Sequence, residues 1–160
     1  MNQRTAVIVD VQNVYYAVKR YGEKNNQICY PNFTTFLELS KGDIVYAAAY
    51  GIELPQVQQG IFLNILKNQG YIIKNKKTNG EKGNLDVEIT IGVMCLLDRI
   101  DRLLLVSGDG DFLELIKYMQ ANSIIVDVCS FEGTISKDLE EIADNAYILP
   151  YDDSTLIYKS

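Results

Sequence analysis

Two short apolar runs, each closed by an aspartate, constrain the fold most. Ala6-Val7-Ile8-Val9 ends in Asp10, with Asn13 close behind. Leu103-Leu104-Leu105-Val106 runs directly into Ser107-Gly108-Asp109-Gly110-Asp111-Phe112. Neither run alternates apolar with polar residues, so each reads as a strand buried on both faces. That is the signature of a parallel sheet covered by helices on either side. The intervening pattern agrees. Helices are expected over Val11 to Tyr21, Asn32 to Ser40, Pro55 to Asn68, Phe112 to Asn122 and Ser136 to Ala143. Further strands are expected at Ile44 to Gly51, Tyr71 to Lys74, Ile124 to Cys129 and Tyr147 to Leu149. Leu85 to Arg99 supports two readings: Ile89, Thr90, Ile91 and Val93 favour a strand, whereas its length and the start at Asn84 and Asp86 favour a buried helix. Asn75 to Asn84 reads as a polar loop.

Right-handed crossovers place the carboxyl ends of all parallel strands along one edge of the sheet. Ligands of such sheets bind at that edge, where the strand order reverses. Asp10, Asp109 and Asp111 all fall there. Singly, each acid has a plain structural role: Asp109 and Asp111 stand where a helix cap is needed, Asp86 could cap the helix near it, and Asp10 could end a strand. Together they exceed what capping requires, and carboxylates gathered at one edge repel unless a cation or proton neutralises them.

The 160 residues contain no histidine. This removes Ser-His-Asp and Cys-His nucleophilic chemistry and His-ligated zinc. An all-oxygen donor set suits magnesium or manganese. The length suits one domain, and the net charge of −6 disfavours broad non-specific binding to nucleic acid or membrane. Cys29, Cys95 and Cys129 form no CxxC pair, and each lies in an apolar setting, so buried free thiols are expected. No stretch is long enough to span a bilayer, Ile89 to Leu97 being the longest uncharged apolar one. Asp10 interrupts the early apolar run, which argues against a secretory signal, so a cytoplasmic protein is expected.

Three segments in order, Val9-Asp10-Val11-Gln12-Asn13, Lys82-Gly83-Asn84-Leu85-Asp86-Val87 and Ser107 to Phe112, are followed by Ser136, Leu139 and Ala143-Asp144. In this pattern the chain resembles the NYN domain family, close to its LabA-like branch and related to PIN-domain nucleases, from about Ala6 to Pro150. The resemblance implies a three-layer α/β/α sandwich with a central, mainly parallel sheet, PIN-like and Rossmann-like. It implies one domain over residues 1–150 and a C-terminal tail over 151–160. It further implies a metal-dependent ribonuclease, with Asp10, Asp86, Asp109 and Asp111 holding magnesium or manganese and a metal-activated water attacking the phosphodiester. Asn13 and Ser107 would support the site or touch substrate phosphate. RNA, single-stranded, is the implied partner; a homodimer is an open option. Two departures from the family pattern stand out. Gly92 occupies a place where members often carry a further acid, and the segment Gly83 to Asp86 is one residue longer than the common form.

The Lys74 to Lys82 stretch carries four lysines, Lys74, Lys76, Lys77 and Lys82, against one acid, and reads equally as a phosphate-backbone contact and as a solvated loop. Tyr15, Tyr16 and Tyr21 read as helix packing residues rather than a base-stacking platform, and Tyr46 and Tyr50 as core. Two other functions remain. One is a non-catalytic metal- or nucleotide-binding regulatory protein acting through partners. The other is a haloacid-dehalogenase-like phosphatase, against which stand Gln12, where that class needs a second aspartate, and the tight Gly108-Asp109-Gly110-Asp111 spacing.

Overall fold

A computed structural model describes residues 2–53, 66–77 and 85–158, the side chains of 52–53 and 75–77 excepted. Strands are β1 (Arg4–Asp10), β2 (Cys29–Pro31), β3 (Asp43–Glu53), β4 (Ile72–Lys77), β5 (Arg102–Val106), β6 (Ile125–Phe131), β7 (Asn145–Leu149) and β8 (Leu156–Tyr158). Helices are α1 (Val11–Lys24), α2 (Thr34–Leu39), α3 (Asp86–Met94), α4 (Leu113–Ala121) and α5 (Lys137–Ile142), with a 3₁₀ turn at Gly110–Phe112. Six strands form one sheet in the order β4-β3-β1-β5-β6-β7, and every pairing in it is parallel. The chain steps from β1 outward to β3 and β4, then returns to β5 on the other side of β1. The order therefore reverses between β1 and β5.

Alternation along β1 explains its unbroken apolar sequence. Val7 and Val9 enter a cluster with Val14, Ala17 and Val18 of α1, Phe33 and Phe36. Ala6 and Ile8 enter the opposite cluster with Ile89 and Val93 of α3, Leu115, Ile116 and Met119 of α4, and Leu139 of α5. Both faces are apolar because both are covered. The three-layer expectation is met.

Several boundaries differ from the sequence expectations. Leu85 to Arg99 resolves as helix α3 followed by turns, not as a strand. β4 continues to Lys77, so Lys76 and Lys77 belong to a strand backbone rather than to the expected loop. Lys82 and most of the expected Pro55 to Asn68 helix lie outside the described residues. The segment after Pro150 is joined to the body: β8 pairs antiparallel with β2, and the Asn32 N–H donates to the Thr155 carbonyl at 2.8 Å. Tyr151 stacks between Tyr21 and Phe131, with ring centroids at 4.7 and 5.0 Å. Cys29 and Cys129 are buried as expected, but Cys95 is exposed. It follows α3, which carries apolar residues on its outer side as well as on the side that packs on the sheet, leaving Val87, Ile91 and Met94 in solvent. Among the described residues, no helix is long and apolar enough to cross a membrane.

Candidate metal centre

Asp10 is the last residue of β1 and the cap of α1. Its Oδ1 accepts from the Asn13 N–H at 3.4 Å and its Oδ2 from the Ser107 hydroxyl at 3.0 Å. The β1–β5 pairing sets Val9 opposite Val106, so Asp10 and the Ser107–Asp109 turn are neighbours across the switch point. Asp109 caps the 3₁₀ turn, its Oδ1 accepting from the Asp111 N–H at 2.9 Å. Asp86 opens α3, for which Leu85 provides no side-chain cap. Carboxylate oxygens of Asp10, Asp86 and Asp109 all lie within 4.8 Å of one another. The capping roles of Asp10 and Asp109 are real, and they coexist with this convergence.

Asp111, predicted as a fourth ligand, is exposed and lies outside the three-acid group; its charge is one of those felt by Asp86. Ser107 is fully buried, donates to Asp10 and accepts from the Asp109 N–H at 3.2 Å. Its hydroxyl thus bridges Asp10 and the Asp109 backbone, with no exposed surface of its own. Asn13 Oδ1 accepts from the Gly108 N–H at 2.9 Å and from the Ser130 hydroxyl at 3.5 Å. Ser130 in turn shares a 2.6 Å hydrogen bond with Thr134. Sequence reasoning missed Ser130 and Thr134, because nothing local in Ser130 to Thr134 announces contact with residue 13. Gly108 is where they meet the site: a Cβ there would lie 1.9 Å from the Thr134 carbonyl oxygen, so glycine lets the two backbones touch.

Gly92 also has a physical account. A Cβ at this position would lie 2.0 Å from the Tyr50 hydroxyl, so the buried Tyr50 fills the space a side chain would need.

Burial pushes the Asp10 carboxyl up to about 6, against the Ser107 and Asn13 hydrogen bonds that favour the anion. Asp86 is also raised, first by burial and then by the charges of Asp109 and Asp10. Among the described residues, no Lys or Arg pairs with Asp10 or Asp109. Hard oxygen donors, crowded and costly to ionise together, fit a divalent cation such as magnesium or manganese.

A stability test follows. A raised folded-state pKa makes the Asp10 contribution greatest below its unfolded value near 4, and this is lost as pH rises through about 6. Between pH 5 and 7.5, metal-free protein should lose about 1–1.5 kcal/mol more stability than Asp10→Asn. Denaturant melts in chelator measure the difference; parallel pH profiles would refute it. Saturating divalent cation should remove the loss in the wild type.

With this geometry in view, comparison with known proteins is decisive. The NYN domain model matches residues 4–150. The chain belongs to the NYN domain family. It is 30% identical over 155 residues to the low amplitude and bright protein LabA of Synechococcus elongatus, covering 88% of this chain and 81% of that protein. It also superposes on the crystal structure of a protein of unknown function from Vibrio parahaemolyticus, with a TM-score of 0.80 and 31% identity, covering 98% and 97% of the two chains. The NYN assignment and the acid triad together support a nuclease-like family with capacity for a metal ion.

Proposed function

We propose that this NYN domain is a metal-dependent ribonuclease that hydrolyses phosphodiester bonds of single-stranded RNA. One observation carries the reading: Asp10, Asp86 and Asp109 come from three separate elements and converge at the sheet's switch point. Magnesium or manganese held there would supply Lewis-acid activation of water and neutralise charge at the phosphate. The chain's own residues prepare that chemistry. Ser107 fixes Asp10 and the Asp109 backbone in one orientation. Asn13, its carbonyl oxygen engaged by Gly108 and Ser130, keeps its NH₂ group for a phosphate oxygen. Asp111 stands at the rim as a further carboxylate, and Lys76, Lys77 and Lys82 are assigned to the RNA backbone.

The test is cleavage of end-labelled single-stranded RNA by rigorously purified protein with manganese or magnesium. Cleavage that chelator abolishes is expected, with no phosphate released from a small phosphomonoester. Release from the monoester with intact RNA would point to a phosphatase instead. A second reading, a non-catalytic metal-binding regulator, is favoured by Tyr50 occupying the space at Gly92. It predicts thermal stabilisation by the metal with no turnover of RNA.

A further inference from the structure

We propose that Lys74 is a substrate-binding residue that holds an RNA phosphate near the acid triad, two strands along from Asp10 on the same face of the sheet. This rests on the ribonuclease reading and extends it to a residue outside the acid site. Sheet register makes the case. Asp10 is paired with Tyr50 across β1–β3, and Tyr50 with Lys74 across β3–β4. In-register partners of parallel strands project to the same face, and two strand spacings set the Asp10 and Lys74 backbones about 10 Å apart. The three residues therefore form one row across the sheet, at the end of β1 and three residues short of the ends of β3 and β4.

The face is the one that α3 covers, since Tyr50 packs with Ile8, Ala48, Ile89 and Val93. At β4 that cover gives out: Ile72, two residues before Lys74 on the same side, is 47% exposed, and Lys74 is exposed. Lys74 makes no ion pair among the described residues. Tyr50 lies between them, buried beneath α3 with its hydroxyl against the bare backbone of Gly92. A chain of net charge −6 with three clustered carboxylates repels the phosphates that flank the scissile one. An exposed ammonium two strands along the same row is a group that offsets this.

The experiment is manganese-dependent cleavage of a labelled oligouridylate from 50 to 300 mM salt. Lys74→Ala should raise KM about 3- to 10-fold with kcat within about twofold, and lower the salt slope of 1/KM by about 0.7, the single-strand value for one phosphate contact. Lys74→Arg should restore most of KM. Lys24→Ala, at the far end of α1, should behave as wild type. An unchanged KM and salt slope in Lys74→Ala, beside a wild type that cleaves, overturns this inference and leaves the ribonuclease reading standing. A loss confined to kcat overturns it too, because that reports a disturbed site rather than a lost contact. RNA left uncut and unbound by the wild type overturns both.

Discussion

Asp10→Asn should lower RNA cleavage by at least about a thousandfold, equivalent to ~4 kcal/mol of transition-state stabilisation, and should make the metal-free protein more stable. The two effects have one cause. Asp10 is 7% exposed and crowded by Asp86 and Asp109, so its charge is costly until a cation is bound. Asparagine keeps the shape and can still accept from Ser107 or Asn13, but it cannot supply the charge that holds a divalent ion. At pH 7.5 the gain should be about 1–3 kcal/mol, given a folded-state pKa of about 6. Single-turnover cleavage and denaturant melts in chelator read the two quantities. Asp109→Asn should lose cleavage to the same extent, since asparagine caps the 3₁₀ turn as well as aspartate does. If both variants cut RNA at the wild-type rate, the acid triad is not the active site. A loss of activity alongside a gain in stability separates a missing ligand from a misfolded chain.

Asp127→Ala should be strongly destabilising, costing about 3–5 kcal/mol, because it strands a buried cation. Arg102 and Asp127 side chains are 9% and 2% exposed and meet through Nε to Oδ2 at 2.7 Å. A second hydrogen bond from Nη2 to Oδ1 spans 3.1 Å. Nη1 of Arg102 donates to Gln3 at 3.1 Å, and Asn145 donates to Asp127 Oδ1 at 2.9 Å. The network ties β5, β6 and β7 to the start of the chain, at the edge of the sheet opposite the acids. Thermal unfolding should move down by roughly 6–20 °C. Cleavage measured well below that transition should be unchanged, because no contact in the network reaches the triad. The paired replacement Arg102→Met with Asp127→Leu should recover most of the stability, since neither charge is then buried alone. A cost below about 1 kcal/mol for Asp127→Ala would show that solvent reaches Arg102 freely.

Legibility in the sequence followed the range of the interactions. Strands such as β1 and β5 were readable because burial on both faces leaves an unbroken apolar run. The β2–β8 pair was not, since three-residue strands carry no period and their partners lie far apart in the chain. The exposed Cys95 was missed because an apolar run does not say which side of a helix the sheet will cover. Gly92 was visible as a departure from the family pattern, but its cause, the hydroxyl of Tyr50, belongs to another strand.

The sequence by itself determined the alternation of buried strands and helices, and with it that Asp10 and Asp109 stand at strand ends on one edge. Those properties depend on local period and on the handedness of crossovers, which neighbouring residues encode. Only the tertiary structure decided that Asp86 joins them, that Asp111 stays in solvent, and that Ser107 is buried between Asp10 and the Asp109 backbone. Each of those outcomes turns on which strands pair and where α3 begins above them. Such adjacency comes from contacts between distant segments, which no local pattern records.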